Sequence, residues 1–474
     1  MRSGYDVQGV RAAELSLLAE MPDGALMQRA AAGLAGVCAA LLGRVYGSRV
    51  VLLVGSGDNG GDALYAGARL AERGARVDAI LVGGRAHEAG LATFRRAGGQ
   101  VIDVDGGDAH TEVLRRADLV VDGIVGIGGK GALRDAAANI VSQLPAQVLV
   151  VAVDVPSGVD ADTGDVAGSA VRADVTVTFG ALKPGLLVDP GAAHAGAVEL
   201  VDIGLGPHLP ETPAAEALQA ADVRALLPRA DRESDKYRRG VVGVAAGSAQ
   251  YTGAAVLCVG GAVRGGAGMV RYVGDDPPAD LVRRRWPEVV VGEGRVQAWT
   301  VGSGGGDGAA ARLKAAFEAD VPVLVDADAL PALPGNRARR TALLLTPHAG
   351  ELAKLLGAER DDVEARRLEH ARRAATELDA VVLLKGSTTV VAAPDGRVRV
   401  NPTGTPALAT AGTGDVLAGL CGALLAGGLD PFDAGSVGAW LHGLAGRLAA
   451  DGGAPISAHD VLDALPGAFR ALGN

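Results

Sequence analysis

NPTGTPALATAGTGDVLAGL, residues 401–420, is the stretch on which the reading of this chain turns. It holds Gly412-Thr413-Gly414-Asp415, followed at once by the small apolar run VLAGLCGALLAGG. That run has the make-up of a buried helix. Glycines let backbone approach a ligand closely, and the first N–H groups of a helix lack intrahelical acceptors, so its start can seat an anion. An aspartate there would repel phosphate. Asp415 is better placed to take a proton from a hydroxyl next to the phosphate. Taken alone, Gly412 to Asp415 reads equally as a glycine-rich turn whose Asp caps a helix. The flanks have to decide.

Working outward through the second half, short apolar runs alternate with helical patterns, which predicts a parallel sheet with helices on both faces. Strands are expected at 269–273, 288–291, 298–301, 322–326, 341–345, 380–384, 388–393 and 397–400. Helices are expected at 308–319, 349–356, 361–378, 413–427, 432–450 and 458–471. Several strand ends are glycine-rich or polar: Gly302 to Gly306, Asp326-Ala327-Asp328, Thr346 to Glu351, and Lys385-Gly386-Ser387-Thr388-Thr389. Lys385, after the apolar strand VVLL, is either a phosphate contact or an ordinary solvated strand end. His348 reads as a turn residue or as a site residue.

The first half shows the same alternation. Residues 49–54 form an apolar run that feeds Gly55 to Asp62 and then the helical pattern ALYAGARLAERG. Strand, glycine loop and helix in that order is the phosphate-binding arrangement of open α/β sheets. Further strands are expected at 77–82, 100–104, 118–122, 147–153 and 174–179, with helices near 88–97, 108–116 and 132–143 between them. Loops at the carboxyl ends of such strands carry ligand chemistry. Here they hold Asn59, Asp122, Asp154 and Ser157. Two acids, an amide and a hydroxyl on neighbouring strand ends make an oxygen-lined pocket suited to a hard cation. Capping of loop N–H groups by the two acids is the alternative.

Residues 205–221, rich in proline before an Ala-rich helix start, mark the boundary, so domains are expected at 1–218 and 219–474. At 474 residues each half can bury its own core. A formal net charge of −10 argues against nonspecific nucleic-acid binding. Cys38, Cys258 and Cys421 lie far apart among Ala, Leu and Gly, and read as buried thiols in a reducing compartment. The start, MRSGYDVQGVRAAE, has no apolar signal core, and no uninterrupted apolar run reaches about 18 residues. A cytoplasmic protein without a membrane span is expected.

Taken together, YTGAAVL, TPHAGELAKLLG, VVLLKGSTTVVA and NPTGTPALATAGTGDVLAG resemble the ribokinase-like superfamily, and more narrowly the ADP-dependent NAD(P)H-hydrate dehydratases. GDNGGDALYAGARL, VDGIVGIG, VDVPSGVDADTG and FGALKPGLL resemble the NAD(P)H-hydrate epimerases. Both in this order resemble the bacterial bifunctional NAD(P)H-hydrate repair family over nearly the whole chain.

The resemblance implies an α/β protein, with a Rossmann-like epimerase domain followed by a ribokinase-like dehydratase domain. The first would interconvert the R and S hydrates of NADH and NADPH. The second would restore NAD(P)H from the S form with ADP. It implies potassium on Asn59, Asp122 and Ser157, and hydrate on Asp58, Asn59, Gly60, Gly61 and Asp62. Hydrate contacts are also implied at Gly126, Ile127, Gly128, Gly129, Lys130, Gly131 and Ala132, and Asp154 is the acid at the hydrate. In the second half it implies hydrate contacts at Ala254, Gly304 and His348, with Asp415 as base. It implies nucleotide, with Mg2+, on Lys385 to Thr389 and on Gly412, Thr413 and Gly414. A homo-oligomer is expected. Two departures stand out: Ala63 where the family's first loop carries glycine, and a looser Gly302 to Gly306 loop. Two further readings stay open, a vitamin-precursor kinase built on the same Gly412 to Asp415 loop and a nucleotide-binding regulatory module.

Overall fold

The computed structural model describes residues 1–102, 109–228, 235–333 and 341–473. The chain divides into two compact units, Ser3–Ala214 and Met1–Arg2 with Ala215–Asn474.

The first unit is built on seven parallel strands. Their order across the sheet is Gln100–Ile102, Arg76–Leu81, Arg49–Val54, Leu119–Gly123, Leu149–Val153, Val175–Phe179 and Ala197–Val201. The order reverses between Arg49–Val54 and Leu119–Gly123, and ligands of open α/β sheets bind at such a switch point. Both faces are covered, so the strands are apolar throughout. Leu52 and Val54 face the helices Val7–Leu18, Ala25–Leu42 and Asp58–Glu72. Val51 and Leu53 face the opposite core with Leu114, Ala137 and Ile140. Ala25–Leu42 is the one described helix with the length and apolarity of a membrane span. It lies against the sheet, burying Ala30, Ala31, Leu34, Ala35 and Cys38 in this core.

The second unit has a mixed sheet. Its parallel part runs Val290–Val291, Met269–Tyr272, Val241–Ala245, Ala298–Val301, Val323–Val325, Leu343–Leu345 and Val381–Leu384. Val390–Ala392 and Val398–Val400 continue it antiparallel, and Ala215–Ala217 pairs parallel beyond them. Arg2 opens the strand at that outer edge. The first unit ends at Ala214, four residues before the expected boundary at 218. The reversal of order here falls between Val241–Ala245 and Ala298–Val301.

Helix Thr413–Ala426 lies on this sheet under helix Thr252–Arg264. Two glycines set that packing. A methyl group at Gly419 would collide with the Cys258 carbonyl, and one at Gly261 with the Val416 carbonyl. The backbones touch, which is why glycine stands at both positions. The expected helix at 361–378 is broken at Arg366 into Arg360–Ala365 and Arg367–Leu378.

Candidate active sites

In the first unit a cavity of about 590 Å³ opens at the switch point. Asp58, Asn59, Asp62, Gly126, Ile127, Gly128 and Asp154 line it, with Arg11 and Glu14 from the first helix. Gly60 and Gly61 sit behind it in the first turns of helix Asp58–Glu72, where Gly60 backs onto the Gly55 carbonyl and Gly61 onto Met27 and His87. Ala63 is an ordinary helical residue, fully buried with its methyl next to Gly123, so the departure from glycine leaves the loop backbone undisturbed. Gly129 turns back onto the Gly126 carbonyl at 2.9 Å. Lys130 lies on the surface, its ammonium 2.8 Å from Asp160 and 3.3 Å from Asp162, while Gly131 and Ala132 are exposed.

Asp154 stands at the end of its strand with φ 67, a conformation that a non-glycine residue adopts only where its surroundings hold it. Its Oδ1 accepts from the Lys183 ammonium at 2.5 Å and from the Thr178 hydroxyl at 3.1 Å. Lys183 is 1% exposed. Its charge balances that carboxylate and leaves Oδ2 facing the Gly126 backbone, 3.4 Å from where a side chain would begin. Lys183, within FGALKPGLL, is a site residue without an expected role. A lysine inside so apolar a run was the available signal.

Asp122 is fully buried and Ser157 nearly so. Asp122 Oδ1 accepts from the Ser157 hydroxyl at 2.6 Å, and Oδ2 from the Ser157 N–H at 2.8 Å. The Val125 carbonyl lies 3.1 Å from the same hydroxyl. Burial pushes the Asp122 carboxyl up to about 6, and its hydrogen bonds to Ser157 and Ile124 only partly offset this. Among the described residues no cationic side chain pairs with it. Asn59 shares the neighbourhood of Gly126, where its Oδ1 would lie 2.7 Å from an added methyl, and its Nδ2 has no partner among the described residues.

In the second unit the site gathers on Asp326. Its Oδ1 accepts from the Lys385 ammonium and the Thr346 hydroxyl, both at 2.8 Å, and its Oδ2 from the Ser303 hydroxyl at 2.8 Å. Burial alone would lower the Lys385 ammonium. Asp326, with Glu351 and Asp415, outweighs it and holds Lys385 above its ordinary value. Helix Thr413–Ala426 begins beside this cluster: a side chain at Gly414 would start 3.6 Å from the Lys385 ammonium. Gly412 caps that helix with φ 90, and Asp415 lies in its first turn. Burial first, then Asp326, pushes Asp415 up to about 7, against the lowering effects of Lys385 and Ser303. His442 is buried, its Nε2 2.9 Å from the Thr413 carbonyl. Burial lowers it to about 4, so it is neutral and donates that bond.

Gly304 and Ala254 are neighbours, since a methyl on Gly304 would lie 2.6 Å from the Ala254 methyl. The loop that looked loose turns at Gly302, Gly304 and Gly306, all at positive φ. His348 caps helix Ala349–Leu356: its Nδ1 accepts from the Glu351 N–H at 3.2 Å, and its own N–H donates to the Glu351 carboxylate at 2.8 Å. In the Lys385 to Thr389 loop, Gly386 and Ser387 are exposed, Thr388 is buried, and the Thr389 carbonyl accepts from the Asn401 N–H. Arg367 packs against Gly386. Ser303, Asp326 and Thr346 were visible only as polar strand ends. What joins them is sheet order, which one strand at a time does not reveal.

Comparison with known proteins follows this division. A family model described as NAD(P)H-hydrate dehydratase matches residues 242–467, and one described as YjeF-related protein N-terminus matches residues 23–185. The ADP/ATP-dependent NAD(P)H-hydrate dehydratase of Bacillus subtilis, co-crystallised with ATP and Mg2+, superposes with a TM-score of 0.51 at 32% identity, over 54% of this chain and 97% of that one. A ribokinase-like superfamily protein of Enterococcus faecalis superposes at 0.50 and 22% identity, over 56% of this chain and 98% of that one. The class is therefore a two-unit α/β enzyme whose second unit has a ribokinase-like fold and matches the NAD(P)H-hydrate dehydratase model.

The bifunctional NAD(P)H-hydrate repair enzyme Nnr of Mycobacterium leprae is 46% identical over the full length of both chains. That of Moorella thermoacetica is 37% identical over 91% of this chain and 89% of its own. The chain belongs to the bifunctional NAD(P)H-hydrate repair enzyme family.

Proposed function

We propose that the first unit interconverts the R and S hydrates of NADH and NADPH, and that the second dehydrates the S form while converting ADP to AMP and phosphate. The observation that carries this reading is Asp415, held near neutrality between an anion-seating helix start and the Lys385 ammonium. Hydroxide is a poor leaving group. Phosphorylating the hydrate's hydroxyl makes the leaving group phosphate, and elimination then restores the ring double bond. That sequence needs a base at the hydroxyl, an anion seat for the group in transfer, and a nucleotide held in line. Asp415 takes the first role, the N–H groups at Gly412 to Gly414 the second, and Lys385 to Thr389 the third. Ala254, Gly304 and His348 border the hydrate.

Among the described residues no group of three or more acidic, His or Cys side chains is arranged to hold a metal ion. Mg2+ would then be held chiefly by the nucleotide's phosphates, where it neutralises charge during transfer. In the first unit Asp122, Ser157 and Asn59 suit potassium. One buried carboxylate without a cation, beside a hydroxyl, an amide and the Val125 carbonyl, matches a large monovalent ion better than a divalent one. Asp58 to Asp62 and the Gly126 to Ala132 loop border the hydrate there, and Asp154 moves its proton. A cytoplasmic location and a homo-oligomer complete the reading. Three buried free thiols are in keeping with a reducing compartment.

Phosphorus NMR of the protein with the S hydrate and ADP tests the second unit. AMP and phosphate should appear in step with NADH absorbance. A stable phosphomonoester with no return of NADH would instead make it a small-molecule kinase.

A further inference from the structure

Epimerising a hydrated dihydropyridine by ring opening involves two proton transfers. Water adds to an enamine with its hydroxyl on the carbon that bears nitrogen, so the hydrate is a cyclic hemiaminal. Inverting that carbon by ring opening removes the hydroxyl proton, forms a C=O bond and breaks the C–N bond. The departing ring nitrogen must then receive a proton. A base placed at the oxygen serves the nitrogen only if it reaches both atoms; where it does not, a second group acts as the acid.

Four carboxyl groups line the first-unit cavity, Glu14, Asp58, Asp62 and Asp154, and the last two lie in opposite settings. Asp154 has the Lys183 ammonium and the Thr178 hydroxyl on its Oδ1. Asp62, in helix Asp58–Glu72, has neither cation nor donor among the described residues: it is 9% exposed, lines the same cavity, and its buried Oδ1 has no hydrogen-bond partner there. An ionised carboxylate demands donors, whereas a neutral carboxyl can itself donate. The charged and titratable groups in or bordering this space are Asp58 on the same helix, Glu14 and Arg11 on Val7–Leu18, Asp154 with Lys183 at the strand ends, and His87 against Gly61. Burial, then Asp154, Asp58 and Glu14, push Asp62 well above the usual carboxylate range. One carboxyl held by a cation and one buried without donors is the arrangement of a base and an acid.

We propose that Asp62 is the proton donor of the epimerisation, working opposite Asp154 as base. Asp154 takes the hydroxyl proton as the C=O bond forms. The C–N bond breaks and the ring nitrogen takes the proton from Asp62. Rotation about the adjacent carbon–carbon bond turns the other aldehyde face to the nitrogen. Reclosure returns one proton from nitrogen to Asp62 and the other from Asp154 to oxygen. No electrons are gained or lost. The proposal rests on the first unit being the epimerase.

The test compares wild type, Asp62→Asn and Asp154→Asn on purified R hydrate, following the R to S ratio by chromatography from pH 5 to 10, with hydrate binding and thermal melting measured alongside. Wild type that leaves the ratio at the uncatalysed rate removes the epimerase reading itself. Given an active wild type, Asp62→Asn should be ~10²-fold slower or more, bind hydrate within a few-fold, and melt no lower at pH 7, because Asn resembles a neutral carboxyl. It should also lose the fall in rate at high pH that deprotonation of the donor causes in wild type. Asp62→Asn within threefold of wild type overturns the proposal. So does a slow variant that keeps that alkaline fall, since a merely structural part would behave so.

Discussion

Asp415 and Asp154 both follow glycine-rich or strand-end backbone, yet their surroundings differ. Asp154 has a lysine within 2.5 Å, whereas Asp415 is crowded by Asp326 and Asp328 and sees Lys385 already engaged with Asp326. A base must be deprotonated to act, so dehydration should rise with pH through about 7 and level off above it. Asp415→Asn should lower it by ~10²-fold or more and remove that rise, which initial rates of NADH return across pH will show. The sign for stability is opposite. Asp415 binds its proton more tightly folded than unfolded, so its contribution is present below about pH 4 and is lost as pH rises through about 7. For Asp122, potassium should raise the melting temperature of the first unit relative to choline at equal ionic strength, and Asp122→Ala should abolish the difference. At this scale the acids and amides were legible, because strand ends announce them. The contacts of Lys183, Ser303 and Asp326 were not, since their partners lie 29, 23 and 59 positions away.

Helix Thr413–Ala426 was legible as buried because none of its residues after Asp415 is charged or large and polar. Its partner was not: nothing in YTGAAVLCVGGAVR says which backbone lies against it. The contact depends on Gly419 and Gly261. Gly419→Ala should destabilise the second unit by ~1–3 kcal/mol or more, since a packed interior yields little to an added methyl. Denaturant unfolding measures it, and a loss under about 0.5 kcal/mol would mean the helices part easily. Helix Asp276–Arg285 escaped notice because it opens with two prolines and ends in three arginines, leaving little apolar pattern. Strand Ala197–Val201 escaped for a related reason: it is the edge strand of its sheet, with Glu199 and Leu200 exposed.

Across the whole molecule, each unit has its own sheet, core and site. The fold class and the order of the two units were legible because both sheets are mostly parallel, and parallel strands alternate with helices along the chain. The limit between them was blurred by Ala215–Ala217, three residues too short to show a pattern, which join the second sheet and bring Glu216 to Arg399 at 3.5 Å. Fragments 3–214 and 215–474 should each be soluble. The first should keep epimerisation and the second ADP-dependent dehydration, with the second somewhat less stable for want of Arg2. Insolubility of both would mean that the units fold only together.

The most direct measurement is complete turnover of a mixed R and S hydrate preparation with ADP, read as NADH absorbance. Wild type should return all of the NADH, because epimerisation feeds the R form to the dehydratase. Asp154→Asn should stop near the initial S fraction and then creep at the uncatalysed rate. Asp415→Asn should return none while still equilibrating R and S. Wild type that halts at the S fraction, or an Asp154→Asn variant that runs on to completion as fast as wild type, would contradict the account of two activities on two sites.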